Sequence, residues 1–445
     1  MTAAVTVRRP KLHFTPERNW MNDPNGLVYF GGRYHLYFQH NPNGSDWGDM
    51  SWGHASSTDL VHWSEHPVAL LHGEDEGIFS GSVVVDVDGS AGFGRGVLVA
   101  LYTVASSRGQ AQALAWSADG FSWTKCGVVL DRGTRDFRDP KVFRYGGGWV
   151  LAAVEAHERE VHLFSSSDLH SWAPLSVFGP SGAVEGIWEC PDLFELDGRW
   201  VLTVSLNPGG PAGGSGQQYF VGDFDGVRFQ ADSWGWLDHG RDFYAGVTFD
   251  SAPGGERIML AWMSNWDYAA EVPTAPWRGS MTLPRRLSLH GGVVRQRVAG
   301  GPCEETVELA LEDVTLGEFA LPDAGLAFRV DARLRLGSAG RVGFVIGGAV
   351  LAWDGVEISM DRTASGRTGF SELFPSVSRA AAGVAGALVV SVWVDATSIE
   401  VFAYDGAVVL TEQIFPVGSE EAPFAAFFAD GGAAEVAALT VTRLG

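Results

Sequence analysis

The chain has 445 residues and a formal net charge of −22, from 31 basic and 53 acidic residues. This charge repels nucleic acid and anionic membrane surfaces, so we expect neither as a partner and favour a neutral substrate over a phosphorylated one. The length exceeds one ordinary hydrophobic core and predicts two domains, while 58 Gly, 17 Trp and 26 Phe among short β-branched runs predict an all-β protein.

The first two-thirds of the chain repeat one strand pattern. Hydrophobic runs open at Gly32, Gly96, Gly148, Gly198 and Arg257, at intervals of 64, 52, 50 and 59 residues. Repetition at such a period is typical of blades arranged around an axis. Five copies therefore predict a five-bladed β-propeller over residues 1–292.

A second motif follows three of these runs and places an Asp four residues before a Trp. It occupies residues 57–63, 117–123 and 166–172. An Asp in this position bonds the backbone of a turn, and the Trp covers the outer face of a blade. We interpret the motif as turn and packing, without a catalytic role.

Three acidic residues stand at one spacing from the repeat. Asp23, Asp139 and Glu189 each lie nine residues before the Gly that opens a run. Since the first strands of propeller blades line the central axis, this spacing predicts that the three carboxyl groups converge in one cavity.

The local sequences suggest different roles for these acids in glycoside hydrolysis with retention, which uses a carboxylate nucleophile and a protonated carboxyl acid. Asp23 lies in a tight turn that suits a fixed nucleophile. Glu189 follows Trp188, and a less polar setting would raise its pKa and keep it protonated. Asp139, beside Arg138, would stay ionised and accept hydrogen bonds from sugar hydroxyls.

The pattern changes after the fifth repeat. Residues 293–303 predict a linker, and residues 304–445 predict a β-sandwich with strands such as Leu326–Leu336, Gly343–Ala352 and Ser398–Ala403. In the last of these, Ile399, Val401 and Ala403 share one face. The sandwich carries no evident catalytic cluster; shaping the cleft, stabilising the propeller and mediating a homo-oligomer stay open as its roles.

The three cysteines, Cys126, Cys190 and Cys303, are widely spaced and odd in number. They support neither a disulfide framework nor a zinc site, and we expect no metal and no cofactor. No apolar run has the length of a signal-peptide core or a membrane span, so we expect a cytoplasmic protein, although a secreted chain trimmed of its leader would look the same.

Four motifs, in order, resemble those of glycoside hydrolase family 32, the invertases, exo-inulinases and levanases. They are Trp20-Met-Asn-Asp-Pro-Asn-Gly26, Phe79-Ser-Gly-Ser82, Phe137-Arg-Asp-Pro140 and Trp188-Glu-Cys-Pro191. The similarity extends to residues 47–55, 361–366 and 398–402. The resemblance implies a five-bladed β-propeller followed by a β-sandwich, with Asp23 as nucleophile, Glu189 as acid/base and Asp139 as transition-state stabiliser.

The resemblance also implies a set of side chains around a terminal fructosyl unit. Amide, hydroxyl and guanidinium groups would bind the sugar hydroxyls, and aromatic faces would cover its C–H surfaces. The set comprises Asn22, Gln39, Trp47, Phe79, Ser80, Arg138 and Trp266, with Tyr244 on the inner strand of the fifth blade as a further candidate. For Trp47 and Trp266, packing in the core is the alternative.

These features predict a retaining, exo-acting β-fructosidase that releases fructose from sucrose, fructo-oligosaccharides or fructans of the inulin and levan types. The expected partners are neutral, fructose-containing saccharides. Three alternatives stay open: a fructosyltransferase that uses the same covalent intermediate, an arabinose-type glycosidase on a five-bladed propeller, and a sugar-binding propeller without catalysis.

Overall fold

The computed structural model describes residues 7–301, 305–382, 386–417 and 425–445. Within these ranges nearly all regular structure is β-strand, and the one helical element is a short 3₁₀ turn at Pro253–Gly255. No helix in the described ranges is long and apolar enough to cross a membrane. The prediction of an all-β protein is confirmed.

The N-terminal region forms five antiparallel sheets, each built from strands that follow one another in sequence. The first sheet contains Asn19–Phe30 (β1), Arg33–Asn41 (β2), Ser51–Ser57 (β3) and Trp63–Leu70 (β4). The second contains Glu76–Asp86 (β5), Val97–Ser106 (β6), Gly109–Ser117 (β7) and Thr124–Leu130 (β8). The third contains Phe137–Tyr145 (β9), Gly148–Glu155 (β10), Glu160–Ser166 (β11) and Ala173–Phe178 (β12).

The two remaining sheets complete this region. The fourth contains Ile187–Leu196 (β13), Arg199–Asn207 (β14), Gly216–Phe224 (β15) and Phe229–Trp236 (β16). The following strands are Tyr244–Thr248 (β17), Ile258–Trp262 (β18), Trp277–Arg278 (β19), Arg285–His290 (β20) and Val293–Val298 (β21). All of these except β19 form the fifth sheet, and β19 pairs in parallel with β1 of the first.

The first strands of the five sheets surround one axis. Strands β1, β5, β9, β13 and β17 contact one another in this order, and β17 contacts β1 again. The parallel pairing of β1 with β19 ties the last part of the ring to its start. The ring confirms the five-bladed propeller, and the predicted repeat runs are the second strand of each blade.

The Asp-Trp motif forms the same turn in the first three blades. In the first, Asp59 Oδ1 accepts hydrogen bonds from the N–H groups of Val61 and His62, at 2.9 and 2.8 Å. Trp63 Nε1 donates to the Leu60 carbonyl. Equivalent bonds form at residues 119–122 and 168–172. The interpretation as turn and packing is confirmed.

The C-terminal region is a sandwich of two six-stranded sheets. Its strands are Glu305–Leu316 (β22), Phe319–Ala320 (β23), Phe328–Arg335 (β24), Arg341–Ile346 (β25), Ala349–Trp353 (β26), Glu357–Asp361 (β27), Val377–Ala381 (β28), Leu388–Asp395 (β29), Ser398–Ala403 (β30), Val408–Gln413 (β31), Ala425–Asp430 (β32) and Ala434–Leu444 (β33). One sheet has the order β22-β33-β24-β29-β30-β31 and the other β23-β32-β25-β26-β27-β28. The predicted sandwich is confirmed.

Two boundaries differ from the prediction. Val293–Val298, expected to begin the linker, is the outer strand of the fifth blade and pairs with β20. The predicted strand Gly343–Ala352 is a hairpin, because Gly347 and Gly348 have positive φ and turn the chain between β25 and β26. Residues 302–303 of the predicted linker, which include the third cysteine, lie outside the described residues.

Strand β30 is buried on both faces because the sandwich packs against the propeller there. Ile399, Val401 and Ala403 face the sandwich core as predicted. Glu400 faces the propeller, where it accepts hydrogen bonds from the Leu283 N–H at 2.7 Å and from Arg285 at 2.6 Å. The interface between the two domains is therefore built from buried charges as well as apolar contacts.

His13 belongs to the same interface and titrates within an accessible pH range. Its ring lies 2.9 Å from both Asp395 and Glu400. Burial opposes protonation of the ring, but the bonds to the two carboxylates outweigh it and raise the His13 pKa from 6.5 to about 9. Because the folded state then binds this proton more tightly than the unfolded chain, its stabilising effect is complete below pH 6.5 and is lost as the pH rises through 9.

We expect the free energy of unfolding to fall by about 3 kcal/mol between neutral pH and a pH above 9 because His13 loses its proton in the folded state. Urea unfolding followed by tryptophan fluorescence across this range measures the effect. The variant His13→Asn should be less stable at neutral pH and show a flatter pH dependence. An equal decline in His13→Asn and the parent protein would contradict the assignment.

Candidate active site

All five inner strands carry a β-bulge at the same level of the propeller. In each, two residues of the inner strand lie opposite one residue of its neighbour. The bulged pairs are 22–23, 79–80, 139–140, 190–191 and 245–246. Bulges redirect side chains, and here they turn polar groups from every blade toward the axis.

The bulges place the three acids at different heights. Glu189 immediately precedes the bulge of its strand, Asp139 is the first bulged residue, and Asp23 is the second. The predicted common position is therefore wrong in detail. Hairpins and strands of unequal length follow the bulges, and β1 has a second irregularity between Asn25 and Val28. Equal spacing in the sequence therefore does not give the three acids equal heights in the pocket.

The lowest of the three is Asp23, which is buried and hydrogen-bonded through both oxygens. Ser80 Oγ donates to Oδ2 at 2.7 Å, and Asn22 Nδ2 donates to Oδ1 at 3.0 Å. Asn22 is itself held by Trp20 Nε1 at 2.7 Å. Burial and the nearby charge of Glu189 raise the Asp23 pKa to about 6, against the opposing effect of these bonds. Asp23 is therefore held in place as predicted, but it lies in the bulge of strand β1 and not in the expected tight turn.

Glu189 is the highest of the three acids and is hydrogen-bonded to side chains of both neighbouring blades. Arg138 donates to Glu189 Oε1 from Nε at 3.1 Å and from Nη2 at 3.0 Å. Tyr244 Oη donates to Oε2 at 2.5 Å. The expected apolar setting of Glu189 is wrong, because the preceding Trp188 packs into the core between blades and leaves the carboxyl among polar groups.

Asp139 also differs from its prediction. Its backbone has φ of 62°, and Oδ2 accepts a hydrogen bond from the Cys190 N–H at 2.9 Å. Burial raises the Asp139 pKa to about 7; Arg138 lowers it, but Glu189 and Asp23 add to the increase. The expectation that Arg138 keeps Asp139 ionised is wrong, because the guanidinium points to Glu189 and its Nε lies 4.0 Å from Asp139 Oδ2.

The sequence interpretation missed the thiol of Cys190 at the centre of this group. Its Sγ lies 3.5 Å from Asp23 Oδ2 and 3.6 Å from Asp139 Oδ2. Burial and the surrounding carboxyl groups raise the thiol pKa well above its ordinary value, so the group is a neutral donor. The adjacency of Cys190 to Glu189 is the signal that could have found it.

The other predicted binding residues lie at three places. Ser80, Asn22, Arg138 and Tyr244 contact the acids directly, as described above. Gln39 is one layer further out and donates to Asn25 Oδ1 at 2.7 Å. Trp266 lies against Trp20, with ring centroids 5.9 Å apart. It is half-buried and packs against a buried cluster that includes Trp20 and Trp262, so packing in the core stays open as its role.

Trp47 and Phe79 form the rim of the site. Their rings meet edge to face at 5.9 Å, and Trp47 is 53% exposed. From this rim a groove of about 810 Å³ runs between the first three blades. At its inner end, Gln110 and Asp136 contact Arg138. The groove thus leads from solvent to the side of the site where Glu189 lies.

Below the acids the axis is closed. Lys141 Nζ donates to Asp192 Oδ2 at 3.1 Å and to the Thr248 carbonyl at 2.7 Å, which links the third, fourth and fifth blades. The cavity between this link and the acids has a volume of about 10 Å³. Such a space holds about one water molecule. The axis is therefore narrowed to this small cavity below the acids.

The arrangement suits acid/base and nucleophilic chemistry on a small polar group. Burial and neighbouring negative charge raise the pKa values of Asp23 and Asp139, which favours retention of a proton between these two groups near neutral pH. Within the described ranges, no group of three His, Cys, Asp or Glu side chains is placed to hold a metal ion. The chemistry available to the described residues is that of carboxyl, guanidinium, phenol and thiol groups.

Comparison with known proteins agrees with this geometry. The chain is 40% identical to a levanase of Bacillus subtilis, over 98% of this chain and 70% of that protein. It is 37% identical to the extracellular exo-inulinase inuE of Aspergillus niger, over 96% of this chain and 93% of that protein. Both relatives align with the propeller and the sandwich together.

Solved structures match over both domains. The exo-inulinase from Aspergillus awamori superposes with a TM-score of 0.89 at 34% identity and covers 99% of each chain. The fructofuranosidase from Schwanniomyces occidentalis, complexed with fructose, gives 0.90 at 32% identity over 98% of each chain. The model of the glycosyl hydrolases family 32 N-terminal domain matches residues 13–298, and the family 32 C-terminal model matches residues 304–443. The chain therefore belongs to glycosyl hydrolase family 32.

Proposed function

We propose that the protein is a retaining, exo-acting β-fructosidase with Asp23 as nucleophile, Glu189 as acid/base and Asp139 as the acceptor for sugar hydroxyls. The observation that carries the proposal is the convergence of the three carboxyl groups on one axial pocket. Names of the relatives support the substrate class, since they include a levanase, exo-inulinases and a fructofuranosidase complexed with fructose.

The reaction proceeds in two displacements. In the first, Asp23 forms a bond to the anomeric carbon while the glycosidic C–O bond breaks and Glu189 gives its proton to the leaving oxygen. In the second, Glu189 takes a proton from water, and the water oxygen replaces Asp23 on the anomeric carbon. The height difference between Asp23 and Glu189 supports this division of roles, since the nucleophile and the acid act on opposite sides of the sugar.

The closed base of the pocket supports exo-action. A polymer cannot thread past the Lys141–Asp192 link, so the group that reaches Asp23 is a terminal one. The remainder of the saccharide then lies toward the rim and the groove. Acidic side chains at 74–76 and at 136 line that groove and favour a neutral leaving group over a phosphorylated one.

Product analysis tests the function. We expect incubation with sucrose, kestose, inulin and levan to release free fructose from the earliest time points, without intermediate-length products. Proton NMR of the first-formed fructose should show retained anomeric configuration. Inversion would rule out the covalent Asp23 intermediate, and transfer products exceeding fructose at high sucrose would favour a fructosyltransferase.

The bond from Ser80 to Asp23 gives a pH prediction. Because this bond favours the charged carboxylate, Ser80→Ala should raise the Asp23 pKa above about 6. Activity requires ionised Asp23, so the acidic limb of the kcat/KM profile should move up by about one pH unit. Ser82→Ala is the matched control, since Ser82 bonds the Pro140 carbonyl instead. Equal profiles in the two variants would contradict the assignment.

The predicted cytoplasmic location and the predicted formation of a homo-oligomer stay predictions. Size-exclusion chromatography with light scattering tests the second of them.

A further inference from the structure

A buried arginine of the sandwich reaches across the domain interface to the fifth blade. Arg362 follows β27 and has no exposed surface. Its guanidinium donates to Asp242 Oδ2 and, at 2.7 Å, to Tyr268 Oη. Glu412 Oε2 lies 2.9 Å from Nη1. Two of these three partners, Asp242 and Tyr268, belong to the propeller.

The first partner lies two residues before a side chain of the active site. Asp242 is fixed by the Gln413 N–H at 2.8 Å and by Tyr268 Oη at 2.7 Å, in addition to Arg362. Two residues later, Tyr244 donates its 2.5 Å hydrogen bond to Glu189. The position of the Tyr244 hydroxyl therefore depends on a segment that the sandwich anchors.

The second partner anchors the loop that carries Trp266. The N–H of Tyr268 donates to the Asn265 carbonyl at 3.1 Å, which closes a tight turn around Trp266. Trp266 lies against Trp20, and Trp20 orients Asn22 on Asp23. One side chain of the sandwich thus restrains two propeller segments, and each leads to one of the proposed catalytic carboxyl groups.

We propose that Arg362 is a positioning residue for leaving-group protonation, acting through Asp242 and Tyr244 on Glu189. This inference rests on the proposed role of Glu189 as acid. It gives the sandwich a part in the reaction although none of its described residues lines the groove. The effect falls on the proton donor, because Tyr244 is one of the two side chains that hold the Glu189 carboxyl.

The interface contains a matched control. His13 is also buried and bridges the domains, through Asp395 and Glu400 at 2.9 Å each. Neither partner lies next to a residue of the active site. Loss of His13 should therefore reproduce the destabilisation that follows from breaking a buried ion pair, without the effect on catalysis.

The test compares a poor and a good leaving group. We expect Arg362→Lys and Tyr268→Phe to lower kcat/KM for sucrose by about tenfold, and kcat/KM for an aryl β-fructofuranoside by less than about twofold, because kcat/KM reports the first step and an aryl oxide leaves without a proton donor. His13→Asn should change kcat/KM for both substrates by one common factor. Thermal unfolding below the assay temperature would exclude a variant from the comparison, and Tyr268→Phe, which loses one hydroxyl, then decides the result.

Two outcomes overturn the inference: equal losses on both substrates in Tyr268→Phe, or the same leaving-group dependence in His13→Asn. Glu189→Gln separates the inference from its premise. If Glu189→Gln shows no leaving-group dependence, the assignment of Glu189 as acid fails. If Glu189→Gln shows it and Tyr268→Phe does not, the positioning role of Arg362 alone fails.

Discussion

Asp23→Ala should lower kcat on sucrose by at least about 10⁴-fold, because the loss of a catalytic nucleophile ordinarily has an effect of this size. The neighbouring groups cannot replace it. Cys190 is a neutral thiol held between the carboxyls, and Asp139 lies one bulge position higher with Oδ2 committed to the Cys190 N–H. Initial rates with sucrose, measured on protein with an unchanged circular dichroism spectrum, test this result.

The control for Asp23→Ala is Asp59→Asn, which alters an acid of the same blade in its outer turn. That variant should retain parental kcat. Residual activity above about one per cent in Asp23→Ala would remove Asp23 from the role of nucleophile, since general acid catalysis alone gives less. A fructosyl adduct found by mass spectrometry on Asp139 would reassign the nucleophile to that residue.

Glu189→Gln should lower kcat on sucrose by about 10²–10⁴-fold, because the glucosyl oxygen leaves poorly without a proton. Gln keeps the shape of the side chain and can still bond Arg138 and Tyr244. An aryl fructofuranoside should pass the first step with little loss, so that the covalent Asp23 intermediate accumulates. Denatured protein should then show the mass increase of one fructosyl group.

Azide sharpens the test of Glu189→Gln. As a small anion it attacks the intermediate without needing a general base, so it should restore turnover of the aryl substrate and yield fructosyl azide. Tyr244→Phe is the companion variant, and it should lower kcat/KM for sucrose more than kcat/KM for the aryl substrate. The acid/base role would be contradicted if Glu189→Gln slowed both substrates equally and did not respond to azide.

The architecture could be predicted from the sequence because each strand repeat appears as a hydrophobic run at a regular interval. The spacing of the repeats predicted five blades. The acidic residue before three of the repeats predicted a shared pocket. Other features had no such signal. Arg138 lies near the carboxyl groups of Asp139 and Glu189, which belong to adjacent blades. Nothing in the sequence of its own strand indicates that it bonds Glu189 rather than Asp139.

The sequence analysis missed two features of the domain structure, each for its own reason. Val293–Val298 follows a Gly-Gly pair and contains two arginines, which is the composition of a linker, yet its partner strand lies next to it in a hairpin. Glu400 and Arg362 are charged residues that ordinarily mark an exposed surface. Here they are buried because the propeller covers them, and that contact between domains is not encoded locally.

The staggered bulges have a consequence for stereochemistry. Successive residues of a strand rise by about 3.3 Å, so moving an acid by one position relative to its bulge changes its height in the pocket by about that distance. The gap between a retaining pair of carboxyls and an inverting pair is only about 1–4 Å. In this propeller the separation of the two carboxyl groups thus depends on strand register as well as on side-chain length. A single-residue insertion or deletion beside a bulge shifts a carboxyl group further than the one added methylene of an Asp-to-Glu substitution.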